Sequence, residues 1–282
     1  MSPRRGFSLV ELLIALVVLG LVATALARMF ISQQRLTIAQ VEQASMQANV
    51  RTGTLILANE LRELATGVSG GTDIKIFNAT TLRYRAMRSL ALACRVSLSS
   101  VRIRATPIFG ARPIAATRDS MLLFVEHDPS TATDDQWVAL PITDVSASTC
   151  PDGSPALRLA TVNPPLAADV DTLAPLRTFE IMEVAPVLAG GHNWLGAHSL
   201  SDPLGLPLTP VAGPITVAGL AFDYLDANGN VTGTRANIRS IRITLRGQTD
   251  YDVRPGGGIG VALQPLQDSL VTTITLRNAP VP

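Results

Sequence analysis

The feature that most constrains this chain is an apolar run of 21 residues, from Phe7 to Ala27. Thirteen of these residues are Phe, Leu, Ile or Val, and the only charged side chain among them is Glu11. As an α-helix the run would be about 31 Å long, which matches the hydrocarbon core of a bilayer. The apolar side chains favour insertion by more than one acid opposes it, so we expect a membrane-spanning helix in spite of Glu11.

Two arginines, Arg4 and Arg5, precede the apolar run and favour a cytoplasmic position for this end of the chain. The rest of the chain is then expected to face outward. A plain signal anchor and a cleaved secretory signal peptide are both open at this point. Residues 23–25 and 25–27 match the small-x-small cleavage signal, although a typical signal peptide has a shorter apolar region that lacks an acid.

A more specific pattern lies at the junction of the leader and the run, where residues 6–12 read Gly-Phe-Ser-Leu-Val-Glu-Leu. This pattern resembles the processing and assembly motif of type IV prepilins and type II secretion pseudopilins. The resemblance implies that a prepilin peptidase cleaves the bond between Gly6 and Phe7 and that the new N-terminus at Phe7 is methylated. It also implies that Glu11 is the carboxylate used in assembly, and that residues 1–6 are a leader peptide.

The chemistry of the segment agrees with these roles. Cleavage after Gly6 would remove Arg4 and Arg5 and leave an ammonium group at Phe7. A carboxylate at Glu11 of one subunit could then pair with the ammonium of another, and a paired charge in an apolar bundle costs far less than an unpaired one. The alternative, in which Glu11 only extends to the lipid headgroups, leaves the Gly-Phe pair unexplained.

The helix is expected to continue beyond residue 27, because no proline occurs between Pro3 and Pro107. Residues 28–66 alternate polar and apolar side chains at helical spacings, which predicts an amphipathic continuation of the transmembrane segment, residues 7–27. The apolar positions are Phe30, Ile31, Leu36, Ile38, Val41, Ala44, Ala48, Leu55, Leu57, Leu61 and Leu64. This stripe is expected to pack on the chain's own globular domain.

Three glycines are expected to end the helix, at Gly67, Gly70 and Gly71. One helix from Phe7 to about Ala65 would be about 88 Å long. Gly20 and Gly53 are its expected weak points, because a glycine inside a helix costs about 1 kcal/mol relative to alanine.

The remaining residues, 72–282, show a period of two and many turn signals, which favours an antiparallel sheet. Strands are predicted at 73–77, 81–87, 90–98, 101–105, 121–126, 136–142, 156–161, 178–184, 220–225, 238–245 and 270–276. Residues 186–216 hold much of the proline and glycine and are expected to form a long surface excursion. The predicted fold class is therefore α+β, with the long N-terminal helix packed on the sheet of a pilin-like globular domain that carries extra strands and loops.

Oxygen-bearing side chains cluster at residues 223–230, where the sequence reads Asp-Tyr-Leu-Asp-Ala-Asn-Gly-Asn. The Asn-Gly pair favours a hairpin turn. Calcium binding by Asp223, Asp226, Asn228 and Asn230 is the alternative, although the spacing is not that of an EF-hand and the distal glutamate is missing.

Further resemblance concerns the C-terminal half, which is similar to the J/W-type (PilW-like) minor pilins. The similar features are an aromatic-x-Tyr-x-Asp strand from Phe222, an Ile-Arg-Ile-Thr-Leu strand from Ile241 to Leu245, and a late Leu276-Arg277-Asn278. The resemblance implies a minor pilin more than a major one, and the length of 282 residues agrees because major pilins tend to be smaller.

Two cysteines, Cys94 and Cys150, are the only ones in the chain. A location outside the cytoplasm favours a disulfide between them, while two separate buried thiols are the alternative.

Charge is unevenly distributed, although the net charge is only +1. Between Arg83 and Arg118 the chain carries eight arginines and no acid. Arg83 with Arg85, and Arg102 with Arg104, each place two guanidinium groups on one face of a strand, where they could bind DNA phosphates, anionic lipids or an acidic subunit. The alternative is an ordinary solvated face or a protected edge strand.

Catalytic patterns are absent from the sequence. The three histidines, His127, His192 and His198, match no zinc signature, and no nucleophile lies in a recognised arrangement with a base. We therefore expect a structural subunit without enzymatic activity and without a cofactor.

Together these observations predict a minor pilin-like subunit that enters the inner membrane with its globular domain in the periplasm and is then built into a type IV pilus at the cell surface, in assembly priming or at the tip. Its expected partners are the prepilin peptidase, major and minor pilins and the assembly platform proteins. A type II secretion minor pseudopilin is the nearest alternative. A pilus-borne adhesin or DNA-binding receptor, and a secreted hydrolase cleaved after Ala27, are alternatives of other classes.

Overall fold

The structure is a computed structural model that describes residues 8–66, 71–110, 112–126, 128, 130–131, 134–165, 170, 172–202, 204–253 and 262–278. These residues fall into two compact units. The first holds residues 8–48 together with 248–253 and 262–268, and the second holds the other described residues. Both units contain part of one α-helix, α1, which runs from Leu9 to Arg62.

Thirteen strands and one short 3-10 helix, Arg235–Asn237, follow within the described part of the chain. The strands are β1 Ile74–Phe77, β2 Leu82–Ser97, β3 Ser100–Arg104, β4 Phe109–Gly110, β5 Ser120–Val125, β6 Gln136–Pro141, β7 Asp144–Thr149, β8 Pro155–Ala160, β9 Pro175–Ala189, β10 His192–Ser199, β11 Thr209–Leu225, β12 Ser240–Gln248 and β13 Gln267–Thr275.

These strands form one sheet in the order β13-β12-β11-β10-β9-β2-β3-β8-β7. Strands β1 and β4 pair with β2, and the β5–β6 hairpin joins the sheet through β9. Strand β9 pairs antiparallel with β2, β5 and β10, as expected from the many turn signals between short strands. A long apolar helix with a large antiparallel sheet agrees with the predicted α+β class, although the sheet is larger than the sequence indicated.

The first part of α1 has no apolar cover among the described residues. Every large apolar side chain from Leu9 to Ile31 is exposed, with exposed fractions between 46% and 82%. With 54 residues, α1 is about 81 Å long, and its N-terminal part is long and apolar enough to cross a membrane.

The last part of α1, by contrast, is buried in the largest hydrophobic core of the described residues. Val50, Leu57 and Leu61 pack there with strand residues such as Ile243 and Leu245. Gly53 lies on the same face, where an added Cβ would be 2.8 Å from the Cβ of Ala212. Gly53 is therefore a close-approach position between helix and sheet, which gives a packing reason for a residue expected only to weaken the helix.

The predicted apolar stripe was largely wrong. Only its last three members, Leu57, Leu61 and Leu64, are buried. The other predicted members, Phe30, Ile31, Leu36, Ile38, Val41, Ala44, Ala48 and Leu55, are exposed. The buried positions on α1 are instead Ala39, Met46, Val50, Gly53, Thr54, Leu57 and Leu61. The helix has apolar residues on more than one face, so periodicity alone could not decide which face contacts the sheet.

The helix ends at Arg62, about three residues before the predicted end. The C-terminal segment supplies the missing partners for its last carbonyls, because the backbone N–H of Arg277 donates to the carbonyl of Arg62 at 2.9 Å. The side-chain amide of Asn278 also donates to the carbonyl of Glu63 at 2.7 Å. Contacts with a distant segment thus end the helix. Gly71 lies beyond this point, and Gly67 and Gly70 lie outside the described residues.

A second hydrophobic core contains no residue of the helix. It is formed by Val101, Ile103, Leu123, Leu159 and their neighbours on β2, β3, β5, β6 and β8. A disulfide between Cys94 and Cys150 ties β2 to the turn that follows β7. Closing a loop of 56 residues stabilises the folded chain by about 4 kcal/mol in the chain-entropy treatment.

Several strands differ from the sequence predictions. The two strands predicted at 81–87 and 90–98 are a single strand, β2, whose register shifts between Met87 and Ser89. The predicted surface excursion at 186–216 is wrong, because it holds the end of β9, all of β10 and the start of β11. Gly190 and Gly191 form the β9–β10 turn with φ of 59° and 84°, so the glycines that suggested a loop make a hairpin. Strands β4 and β7 were not predicted.

Candidate functional site

The N-terminal turn of α1 is the centre of the candidate site. The backbone N–H of Glu11 donates to the hydroxyl of Ser8 at 3.2 Å and to the carbonyl of Ser8 at 3.1 Å. Ser8 and Glu11 have the Ser-x-x-Glu spacing of a capping box, in which the serine satisfies a free N–H of the first turn. Glu11 therefore occupies a position where the helix dipole also favours a negative charge.

The hydroxyl of Ser8 thus caps the first turn of α1 through the backbone N–H of Glu11. The sequence signal for this cap is Ser-x-x-Glu before an apolar run, but the prediction used Ser8 only as part of the processing motif at residues 6–12. The side chain of Glu11 is exposed. Gly6 and Phe7, the predicted cleavage site, lie outside the described residues.

Comparison with protein families identifies the same segment. Residues 1–27 match the family described as "Prokaryotic N-terminal methylation motif". No curated protein and no solved structure matches the chain. The family match supports processing by a prepilin peptidase and a place in the type IV pilin and pseudopilin class, and the exposed apolar helix fits membrane anchoring.

The arginine-rich segment, Arg83–Arg118, is largely neutralised by acids from other parts of the chain. Six of its eight arginines form ion pairs, which are Arg83 with Glu183, Arg85 with Asp73, Arg88 with Glu60 and Glu180, Arg104 with Asp152, Arg112 with Asp119, and Arg118 with Glu180. Arg85 also lies over the ring of Phe179 at 4.9 Å. Although this segment contains no acid, most of its arginines are therefore neutralised by acids elsewhere in the chain.

Glu180 is the centre of this ion-pair network, and sequence reasoning did not identify it. Its carboxylate is 2% exposed and contacts Arg88 at 2.5 Å, Arg118 at 2.8 Å and Arg112 at 3.4 Å. Burial by itself raises the pKa of Glu180, but the neighbouring Ser199 hydroxyl and the guanidinium groups of Arg118 and Arg88 stabilise the carboxylate and lower the pKa to about 2. Arg88 also reaches Glu60 on α1 at 3.0 Å, so the network joins the helix to the sheet.

Three of the four arginines predicted as an anion site, Arg83, Arg85 and Arg104, have an acid partner within the chain. Arg83 and Arg85 each have an acid partner, and Arg85 is buried. Arg102 donates to the carbonyl of Thr149 at 3.0 Å, and Arg104 donates to Asp152 at 2.6 Å. Arg102 and Arg104 lie on β3, which pairs with residues 93–97 at one end of β2, whereas Glu183 lies opposite Arg83 at the other end of β2.

Three of the four candidate calcium ligands, Asp226, Asn228 and Asn230, lie in the turn that the Asn-Gly pair indicated. One carboxylate oxygen of Asp226 accepts the backbone N–H groups of Asn228 and Asn230, each at 2.9 Å. Gly229 follows in the left-handed region with φ of 81°. Asp223 lies on β11, 3.8 Å from Arg242. Both carboxylates thus have protein partners, which favours the turn interpretation.

Two of the three histidines lie on a strand, within residues 186–216, which were expected to form a surface excursion. His192 is the first residue of β10, and His198 is the last residue but one. Nδ1 of His198 is 2.7 Å from the carbonyl of Leu206, and Nε2 is 3.5 Å from Glu183. His127 lies outside the described residues. Within the described residues, no three His, Cys, Asp or Glu side chains group as metal ligands would.

Proposed function

We propose that this chain is a minor pilin-like structural subunit of a type IV pilus. The proposal rests on one observation above all, the methylation motif at residues 1–27, which opens directly into an exposed apolar helix. In this proposal the prepilin peptidase cleaves between Gly6 and Phe7. The apolar helix holds the subunit in the inner membrane and later packs among the helices of other subunits.

Glu11 sets the register of that packing. Cleavage removes Arg4 and Arg5, so the apolar run begins with the methylated ammonium of Phe7. Each carboxylate then pairs with the ammonium of a neighbouring subunit, because a charge left unpaired between apolar helices is costly. Lateral helix contacts supply the attraction, while the ion pair selects one position among many apolar ones.

A role in priming assembly or at the tip, rather than as the major subunit, is supported by the resemblance of the C-terminal half to J/W-type minor pilins. The residues that carry this resemblance have structural roles here. Phe222 and Tyr224 are buried in the core that contains the helix, and Arg277 with Asn278 caps the end of α1. No catalytic role enters the proposal.

The nearest alternative is a minor pseudopilin of a type II secretion system, which would use the same motif and the same helix. Crosslinking in cells separates the two, because the proposal requires crosslinks from the helix to pilins. Crosslinks to secretion pseudopilins alone would support the alternative.

The test of processing is N-terminal sequencing of the mature protein from the membrane or the filament. A methylated phenylalanine at Phe7 is expected. An N-terminus at Arg28 would instead show an ordinary signal peptide, cleaved after Ala27, and would overturn the proposal in favour of a secreted protein. A Gly6→Leu variant should remain uncleaved, while an Ala27→Leu variant should be processed normally.

The adhesin or DNA-receptor alternative, as based on the whole segment from Arg83 to Arg118, loses its main support. Six of the eight arginines are engaged in ion pairs within the chain, so few guanidinium groups remain for an external anion.

A further inference from the structure

Three arginines form a row across neighbouring strands at the far end of the sheet. In the strand registers Arg95 on β2 lies opposite Arg102 on β3, and Arg102 lies opposite Arg158 on β8. Directly opposed residues share one face of a sheet, and like charges in that position destabilise it. The row continues to Ser146 on β7, so its arginines share one surface that ends at the sheet edge.

This surface lies opposite the second hydrophobic core. Val96, Val101 and Leu159 occupy the next cross-strand row and are buried in that core, which places the arginines on the other face. Arg95 is exposed and has no acid partner among the described residues. Arg158 lies 3.8 Å from Asp144, but with both side chains at least 36% exposed this pair is weak.

The guanidinium groups reach toward β7. Arg102 donates to the carbonyl of Thr149, the last residue of β7, and Arg158 lies 3.8 Å from the carboxylate of Asp144, the first residue of the same strand. Between these two ends the same face of β7 carries only Ser146 and Ser148. Short side chains there leave room for charged groups of a neighbouring strand beside the arginines.

Strand β7 ends the sheet and pairs only with β8 among the described residues. Its register with β8 runs through six consecutive pairs without a bulge, and its sequence, Asp-Val-Ser-Ala-Ser-Thr, has no proline, lysine or arginine. Bulges, prolines and basic side chains usually protect an edge strand from pairing with another chain. Among the described residues, the edge is therefore available for strand addition.

The hydrogen-bond pattern shows which groups are available at that edge. The N–H of Cys150 donates to the carbonyl of Ser154 at 2.9 Å, so Cys150 and Ser154 are a hydrogen-bonded pair. Hydrogen-bonded and non-hydrogen-bonded pairs alternate along an antiparallel ladder. Ser148 and Ser146 therefore bond to β8, while Val145 and Ala147 turn their backbone N–H and C=O groups to the free side.

We propose that β7 is a docking edge for an extended acidic segment of a partner protein. The partner adds a strand along Asp144–Thr149. Its acidic side chains, which occupy every second position, pair with Arg158 and Arg102 on the sheet surface that these arginines share. Backbone hydrogen bonds supply affinity, and the arginines select acidic side chains. This inference does not depend on the processing or assembly role of the N-terminal segment.

The face is poorly suited to nucleic acid. Binding to duplex DNA commonly uses about 6–10 phosphate contacts, whereas this face has four arginines, of which Arg104 is already bound to Asp152. Single strands are usually held by stacking of bases on aromatic side chains, and the described residues of this face include none.

The test measures binding of a fluorescent peptide in which threonine alternates with glutamate, by anisotropy, to the full chain in detergent at low salt. Saturable binding is expected. A peptide with glutamine in place of each glutamate should bind at least tenfold more weakly, because the charged pairs are lost. If the glutamine peptide binds the unaltered protein equally well, the arginine part of the proposal is wrong.

Variants of the protein then locate the site. Arg102→Gln and Arg158→Gln should each weaken binding of the acidic peptide about tenfold, while Arg242→Gln, which alters an exposed arginine on β12, should leave it unchanged. Ala147→Pro should also weaken binding, because it removes an outward N–H without breaking the ladder to β8.

Equal binding by the Arg102, Arg158 and Ala147 variants would place the peptide elsewhere and overturn the proposal. Displacement of the peptide by duplex DNA, with DNA binding lost in the same arginine variants, would also overturn it in favour of a polyanion site. Thermal unfolding of each variant shows that it remains folded. The glutamine-peptide comparison uses only unaltered protein and does not depend on that check.

Discussion

Two glycines in the same helix illustrate the difference between its two ends. An added Cβ at Gly20 would meet nothing within 4 Å, whereas an added Cβ at Gly53 would approach Ala212, Leu245 and Leu195 within 3.2 Å. The surroundings differ in the same way, because apolar side chains are exposed around Gly20 and buried around Gly53. The two glycines thus differ in the space available for a side chain, because the sheet packs against the helix at Gly53 and nothing among the described residues packs against it at Gly20.

The comparison separates two functions of α1. The end that includes Leu57 and Leu61 stabilises the globular unit, because it fills the core shared with the sheet. The end that includes Leu9 to Ile31 contributes no burial within the described chain, so its sequence is free to serve membrane insertion and contact with other subunits. Substitutions at the two ends should therefore affect different measurements, and the following experiments test that separation.

The largest effect is expected from Glu11→Ala. Incorporation into filaments should be lost, because the apolar helix would retain no carboxylate to pair with the ammonium of a neighbour. Membrane insertion and cleavage should be unchanged, as judged by fractionation and by the size of the mature protein. Glu42→Ala, an acid farther along the same helix, is the matched control and should assemble normally. Normal incorporation of the Glu11 variant would contradict the pairing role.

A large effect on stability is expected from Leu61→Ala. Leu61 is fully buried, so the free energy of unfolding of the globular unit should fall by about 2–5 kcal/mol through lost burial and the cavity left behind. Leu16→Ala, at a position that is 59% exposed, should leave the unfolding free energy unchanged. Urea denaturation followed by near-ultraviolet circular dichroism measures both. Equal destabilisation by the two variants would remove the distinction between the two ends of the helix.

The ion-pair network that joins Glu60 of α1 to the sheet should make stability depend on pH. Because the pKa of Glu180 is lowered to about 2 from an ordinary value of 4.5, its contribution is fully present above pH 4.5 and is lost as the pH falls toward 2. This contribution is on the order of 3 kcal/mol. Glu180→Gln should be less stable by that order at neutral pH and should lose less stability over this acid range.

Glu63→Gln is the control for the network, since Glu63 forms only an exposed pair with Arg277. Its unfolding free energy should remain within about 1 kcal/mol of the unaltered protein at every pH. A Glu180→Gln variant with the same acid sensitivity as the unaltered protein would show that other carboxylates control acid unfolding.

The smallest of these effects is expected from Gly53→Ala. Alanine favours a helix by about 1 kcal/mol over glycine, but a methyl group 2.8 Å from Ala212 forces the helix away from the sheet, at a cost of about 1–3 kcal/mol. A net loss of about 1 kcal/mol is therefore expected in urea denaturation. Gly20→Ala adds the same methyl group where space is open and should not destabilise the globular unit. A stabilised Gly53 variant would show that the helix can move away at little cost.

Local sequence patterns located many elements but not their partners. The predicted strands at 73–77, 121–126, 136–142 and 156–161 match β1, β5, β6 and β8 to within about one residue at each end, because each has a clear period and flanking turn signals. Strand β7 was missed because its serine, alanine and threonine residues give no apolar alternation. Strand β10 was missed because its histidines, Gly196 and the preceding Gly190 and Gly191 are typical of a loop, and only the pairing with β9 shows that it is a strand.

The sequence by itself determined the N-terminal segment, its apolar length, its Gly-Phe junction and the position of Glu11, because these depend on residues that are adjacent in the chain. The tertiary structure decided which face of α1 is buried, which acids neutralise Arg83, Arg88 and Arg118, and that Arg95, Arg102 and Arg158 form a row. These features join residues that are far apart in sequence. Burial and charge pairing depend on distance in space, and strand register sets that distance.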